Sequence, residues 1–118
     1  MVNNITKGFL GEEKAANYLI SKGYKIVDRN YRTKIGEIDI IAIIPGVLVF
    51  IEVKSRTSIN YGYPYEAVNW KKQDKIIKSS FIYIKQKRFN NYQIRYDIIE
   101  VYLGKKPKIK HIENAFCR

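Results

Sequence analysis

Gly36-Glu37-Ile38-Asp39-Ile40-Ile41-Ala42 and, beyond the pair Pro45-Gly46, Val49-Phe50-Ile51-Glu52-Val53-Lys54 are the stretch that decides the fold. Both halves are dense in Ile and Val. They read as two buried strands, Glu37 to Ile44 and Val47 to Ser55, around a turn. If the hairpin turns symmetrically, residues 44 and 47 flank the turn, and opposed residues have numbers that sum to 91. Asp39 then faces Glu52, and Glu37 faces Lys54. Opposed residues project to one face of a sheet, as do residues two apart. The spacing therefore predicts a polar cluster of Glu37, Asp39, Glu52 and Lys54 on the face of Ile41, Ile43, Leu48 and Phe50. Ile38, Ile40, Ile51 and Val53 fill the other face.

Ionised groups in strands this apolar are costly unless compensated. Two opposed carboxylates repel, and the ordinary remedies are a proton or a cation between them. Oxygen ligands with no His or Cys nearby suit Mg²⁺ or Mn²⁺ rather than zinc. Lys54 is placed to hold a phosphate or to orient an attacking water. The alternative is a charge-paired sheet face, Glu37 against Lys54, with Asp39 solvated. The apolar residues on both parities weigh against it.

Working outward, Thr6 to Lys22 reads as a helix stopped by Gly23, with Ile5, Phe9, Ala16, Leu19 and Ile20 as its apolar stripe. Glu12 falls within the stripe and Glu13 at its edge. A metal ligand and a glutamate favoured by the helix dipole are equally good readings of Glu12 on the wheel alone. Tyr24 to Arg32 reads as a strand, and residues 56–65 as a polar loop bearing Tyr61, Tyr63 and Tyr65. Glu66 to about Lys87 reads as a second helix with Ala67, Trp70, Ile77, Phe81 and Ile84 inward. Gln93 to Leu103 reads as a further strand, and Lys108 to Ile112 as a short edge strand before a frayed tail at about 113–118. This order predicts an α/β fold, a mixed sheet flanked by helices in the order α-β-β-β-α-β, as a single domain over 1–118.

Lys and Arg number 22 against 11 acids, a net charge of +11. Such an excess draws polyanions through phosphate contacts and counterion release, so nucleic acid is the expected partner, DNA before RNA. The plainer alternative is a soluble basic protein. Cys117, the one cysteine, allows no intramolecular disulfide, which fits a reducing compartment. Met1 to Leu10 does not read as a secretory leader. The longest apolar run, Ile40 to Ile51, is broken at Pro45-Gly46 and falls short of the roughly 17–25 residues of a bilayer span. A cytoplasmic protein without membrane contact is expected.

An Asp in one strand and Glu-x-Lys in the next resemble the PD-(D/E)xK nuclease superfamily with its restriction-endonuclease-like fold. A fuller set of motifs resembles the YraN family of small bacterial proteins. It comprises Gly11-Glu12-x-x-Ala15, Asn30-Tyr31-Arg32, Gly36 to Ala42, Val49 to Lys54 with Arg56, Gly62-x-Pro64-x-Glu66-Ala67-Val68 and Arg95-Tyr96-Asp97, and it spans nearly the whole chain. The resemblance implies a nuclease-type core related to archaeal Holliday-junction resolvases. Carried over by position, it makes Glu12, Asp39 and Glu52 the metal-site acids, Glu12 being favoured over Glu13, and Lys54 the catalytic lysine. Ile38 stands where the superfamily's name has proline.

Arg56 reads equally as a phosphate contact or a solvated strand end. Tyr63, with Tyr61 and Tyr65, suits base stacking or packing of its own loop. Lys71, Lys72, Lys75 and Lys78 crowd the second helix. Lys71, Lys75 and Lys78 share a face as a phosphate-contacting ridge or a merely solvated one. Asp97 reads as a structural contact. His111, the single histidine, supports neither a zinc site nor a nucleophilic triad. The expected activity is a Mg²⁺- or Mn²⁺-dependent phosphodiesterase on DNA, with structured or branched DNA in view. The rival is a non-catalytic nucleic-acid-binding module of a repair or recombination complex. A homodimer is attractive for a protein that makes two cuts.

Overall fold

The computed structural model describes residues 4–56 and 69–117, with side chains from Gly8 onward. The elements are α1 (Asn4–Ser21), β1 (Lys25–Arg32), β2 (Glu37–Ile44), β3 (Val47–Arg56), α2 (Trp70–Lys87), β4 (Gln93–Tyr102) and β5 (Lys108–Phe116). The strands form one sheet in the order β1-β2-β3-β4-β5. Neighbours are antiparallel except β3 and β4, which run parallel. Parallel neighbours need a crossover, and α2 lies in that connection. This mixed sheet with two helices is compatible with the restriction-endonuclease-like fold. It adds a full fifth strand to the order predicted.

The central hairpin folds in the predicted register: Ile44 pairs with Val47, Ile43 with Leu48, and so on to Ile40 with Ile51. Gly46 at φ 77 takes the left-handed turn position that a side chain would strain. Alternation sends Ile40, Ala42, Val49 and Ile51 to one core with Ala15, Ala16 and Leu19 of α1. Ile41, Leu48 and Phe50 go to a second core with Ile76, Ile77 and Tyr83 of α2.

One residue departs from the predicted faces. Ile38 joins the α2 core and not that of Ile40. The cause is visible in the neighbouring strand, where Asn30 adopts φ 52. Arg29, opposite Ile40, turns to α1, whereas Tyr31, opposite Ile38, meets Tyr83 of α2 with ring centroids 4.9 Å apart. The alternation slips by one residue here, and Asp39 sits in the slip.

Both helices keep part of the expected face, with Ala16, Leu19, Ile77 and Ile84 inward, and turn the rest of it outward. Phe9 and Ile20 are exposed, and the buried stripe of α1 is Ala15, Ala16 and Leu19. Small residues mark it because α1 approaches β3 closely: a Cβ on Gly11 would stand 2.9 Å from Cβ of Ser55. In α2 the inward residues are Ile76, Ile77, Ser79, Ser80 and Tyr83, with Ile84 packed beside them. Trp70 and Phe81 face outward. The helix is capped by Asn69, whose side chain accepts from the Lys72 N–H. The predicted start at Glu66, with Ala67, lies outside the described residues, as does the side chain of Ile5.

The predicted tail is also corrected. β5 continues to Phe116, which is buried and stacks on Tyr96 at 5.3 Å. The β4–β5 register shifts between Tyr96 and Ile98, and Asn114 adopts φ 53 in the facing stretch of β5. That bulge carries the polar pair Glu113-Asn114 past the sheet and returns Phe116 to the core.

Candidate metal centre

The site forms where the β2–β3 ladder opens. Beyond Ile40 and Ile51 the next opposed residues would be Asp39 and Glu52, but the backbone pairing ends one step short of them. The Val53 N–H instead donates to Oδ2 of Asp39 at 2.8 Å. Burial pushes the Asp39 carboxyl up to about 8, with the Glu52 charge next in weight and Glu12 adding to it, while the Val53 N–H and Lys72 pull the other way. Glu52 is 5% exposed, and its Oε1 lies 2.8 Å from Nζ of Lys72 and 4.0 Å from Nζ of Lys54. Burial, then the neighbouring Lys72 ammonium, holds Lys54 below the ordinary lysine range. Burial works the same way on Lys72, but the Glu52 carboxylate outweighs it and Lys72 is raised.

Glu12 reaches the same place from α1. Its side chain is 15% exposed against 39% for Glu13, so Glu12 is the inward one of the two. Its Oε1 accepts from Nε and Nη2 of Arg29 at 3.2 and 3.1 Å and from Nδ2 of Asn30 at 3.0 Å. Glu12, Asn30, Glu37, Asp39 and Lys54 line one cavity of about 380 Å³. Glu37, Glu52, Lys71, Lys72 and Lys75 line a second of about 360 Å³. The acids thus stand around the open end of the hairpin and not in one flat cluster.

The predicted opposition of Glu37 and Lys54 is not an ion pair. Glu37 is exposed and meets Arg32, its partner across β1 and β2, at 3.1 Å. Lys54 lies toward the buried Glu52, 4.0 Å away, although it shares that carboxylate with Lys72. The lysine ridge of α2 also divides. Lys71, Lys72 and Lys75 line the cavity of Glu52, whereas Lys78 pairs with Asp74 at 2.8 Å on another flank. Arg56 is not a loosely solvated strand end: its Nε donates to Oε1 of the fully buried Glu100 at 2.7 Å. Oε2 of Glu100 has no hydrogen-bond partner among the described residues. Tyr63, with Tyr61 and Tyr65, lies outside the described residues.

Asp97 belongs to a different knot. It accepts from Nε and Nη2 of Arg95 at 2.9 and 2.8 Å and from the Asn114 N–H at 2.9 Å, and it stands 2.7 Å from Nε2 of His111. Burial would raise its carboxyl, but His111, Arg95 and the Asn114 N–H outweigh burial and hold it below the usual range. The Tyr18 hydroxyl meets Nδ1 of His111 at 3.1 Å and ties α1 to this group. His111 is therefore an interior residue of β5.

Carboxylate oxygen without thiolate or imidazole suits a hard divalent cation, and the mutual repulsion of Asp39 and Glu52 is what such a cation relieves. That pair fits an ion. Among the described residues no group of three His, Cys, Asp or Glu side chains is gathered for metal binding. Glu12 is drawn to Arg29 and Asn30, and Glu52 to Lys72. Sequence reasoning missed these held partners. Asn30 and Lys72 both carried a signal, the first inside the Asn-Tyr-Arg motif and the second among the helix lysines, but neither spacing revealed which acid each would meet.

The fold and site define a small basic α/β protein whose central hairpin opens onto an acid–lysine cluster. Comparison with known proteins places it further. Residues 11–101 match the model of the uncharacterised protein family UPF0102, and the chain belongs to that family. It is 52% identical over 119 residues to a UPF0102 protein of Caldanaerobacter subterraneus, covering 98% of each chain. It is 55% identical over 115 residues to one of Clostridioides difficile, covering 98% of this chain and all of that one. UPF0102 is the family that the YraN-like motifs indicated. No helix among the described residues is long and apolar enough to cross a membrane.

Proposed function

We propose that the protein is a metal-dependent phosphodiesterase acting on DNA, with structured or branched DNA as the substrate to test first. The observation that carries this reading is the meeting of Asp39, Glu52 and Lys54 at the open end of the central hairpin, with Glu12 beside them. Asp39 and Glu52 would hold Mg²⁺ or Mn²⁺, Glu12 assisting once it releases Arg29. The bound ion would polarise the scissile phosphate and lower the pKa of a water. Lys54 faces the developing negative charge, and burial and the neighbouring Lys72 ammonium, which hold it below the ordinary lysine range, ease the loss of its proton. Lys72, now on Glu52, is free to turn to a phosphate once that carboxylate is neutralised. Arg56, fixed through Nε by Glu100 at 2.7 Å, would add its guanidinium charge as a further phosphate contact. Two coordinated cuts require two copies, which sedimentation velocity reads directly.

The second reading is a binding module that grips nucleic acid without cutting it. The hold of Lys72 on Glu52 and of Arg29 on Glu12 favours it. One assay separates the two. Pure protein is incubated with single-stranded, duplex and four-way-junction DNA in Mg²⁺, Mn²⁺ or EDTA. Cleavage that needs metal and is lost in Asp39→Ala and Glu52→Ala supports the enzyme. Binding with no cleavage under every condition overturns it in favour of the module.

A further inference from the structure

Trp70 is the chain's single tryptophan, and it opens α2 with 71% of its surface exposed. Phe81, 39% exposed, follows on the same flank of the helix. Together with Asp74, Ile77, Lys78 and Cys117 these rings line a groove of about 340 Å³ beside the end of β5. Lys71, Lys72 and Lys75 line the cavity of Glu52 from the same helix end. The first turns of α2 thus carry ammonium groups toward the acids and an indole away from them.

We propose that Trp70 is a stacking platform for an unpaired nucleobase. It would receive a base from a strand whose phosphates meet Lys71, Lys72 and Lys75. The inference rests on the nucleic-acid reading above and narrows it to substrates with single-stranded nucleotides beside the site. Charge complementarity selects the occupant. The ligand must be anionic to meet a chain of net charge +11, and it must offer a flat aromatic face to the ring. Unpaired nucleotides offer both, and stacking tolerates any base because every base has a π-face. Duplex DNA hides those faces. An acidic protein supplies the charge without the ring stack, and the groove's own acid, Asp74, is already paired with Lys78 at 2.8 Å. A second copy of this chain brings the same excess of positive charge and offers no phosphates to the lysines.

A single tryptophan makes the test direct. Wild-type protein in EDTA, where no cleavage intervenes, is titrated with oligothymidylate and with blunt duplex of equal length. Tryptophan emission and the anisotropy of labelled DNA are followed together. The expected result is strong quenching by the single strand and binding of the duplex without it. Trp70→Leu weakens oligothymidylate binding roughly tenfold, leaves the duplex unchanged, and Trp70→Phe restores most of the loss. The quench needs no variant, so it stands even if a substitution disturbs folding. Single-strand binding with unchanged emission and no effect of Trp70→Leu overturns the platform and leaves the nucleic-acid reading intact. No binding of any DNA removes both. An emission shift that follows protein concentration without DNA, matched by sedimentation as a dimer, gives the groove to a second copy and overturns the proposal.

Discussion

Asp39 and Asp97 point inward from strands of one sheet, yet they have opposite surroundings. Asp97 is fully buried and meets Arg95, His111 and the Asn114 N–H, so its carboxyl is held below the usual range. The hydrogen bond described for Asp39 comes from the Val53 N–H, and its acidic neighbours help burial push it up to about 8. A buried charge that the fold satisfies is a structural fixture. One placed beside like charges is kept at a cost that the fold alone does not explain, and such sites mark function more often than architecture. The acid–lysine cluster and the Asp97 knot differ in this way although each is built around a buried carboxylate with cationic neighbours.

The largest effect should come from the satisfied aspartate. Asp97→Ala leaves Arg95 and His111 without their shared partner and is expected to lower unfolding stability by about 3–5 kcal/mol, the usual consequence of breaking a buried charge network. Urea unfolding checks it. A loss under about 1 kcal/mol would dissolve the contrast drawn here. The pH dependence sharpens it further. Asp97 has a depressed pKa, so the stability it contributes is present above the ordinary carboxylate range and is lost as pH falls through its lowered value. Asp39 behaves in the opposite sense. Unfolded it titrates near 4, and folded at about 8. Between those values the folded chain holds a proton that the unfolded chain has released, so stability falls as pH rises. In EDTA, Asp39→Asn should remove that slope and gain on wild type by a few kcal/mol from acid to mildly alkaline pH, at about 1.4 kcal/mol per unit. Parallel curves for the two proteins would refute it.

A smaller effect is expected at Lys72. Lys72→Gln strips a cation from the buried Glu52 and leaves Lys54 at 4.0 Å as its neighbour. Stability should fall by about 1–3 kcal/mol without metal. Mn²⁺ should bind more tightly, because the ion no longer displaces an ammonium group. Calorimetric titration reads the affinity, and a weaker affinity would show that Lys72 supports the site instead of competing for it.

The central hairpin was legible because a period of two and a centred Pro45-Gly46 turn leave one register for two apolar strands. What the sequence did not disclose depends on contacts that no period encodes. The face of α1 was right at Ala16 and Leu19 and wrong at Phe9 and Ile20, which outweigh Gly11 and Ala15 in any apolar stripe, whereas close approach to Ser55 selects the small residues. The end of β5 was misjudged because Glu113-Asn114 looks like a tail until the Asn114 N–H finds Asp97. The site acids were legible as acids, since charge within apolar strands is conspicuous. Their present partners were not, because Arg29 and Asn30 come from β1 around the slip at Asn30, and Lys72 from the first turn of α2, and no spacing tells which acid each meets.

The smallest effect, and the one that best bounds the cluster, lies at Glu37. It lines both cavities, yet its ion pair with Arg32 is between side chains 54% and 79% exposed. Exposed pairs contribute less than about 1 kcal/mol and are screened by salt. A double-mutant cycle over Arg32→Ala and Glu37→Ala should therefore give a coupling below that figure, falling further in high salt. The corresponding cycle over Glu37→Ala and Lys54→Ala should give a coupling near zero, since Lys54 answers to Glu52. A Glu37–Lys54 coupling larger than the Arg32 one would restore the opposition that spacing alone predicts and would draw Glu37 into the acid–lysine cluster. A null result confines that cluster to Glu12, Asp39, Glu52 and Lys54. Glu37 then marks the point where the unsatisfied interior ends and the ordinary solvated surface begins.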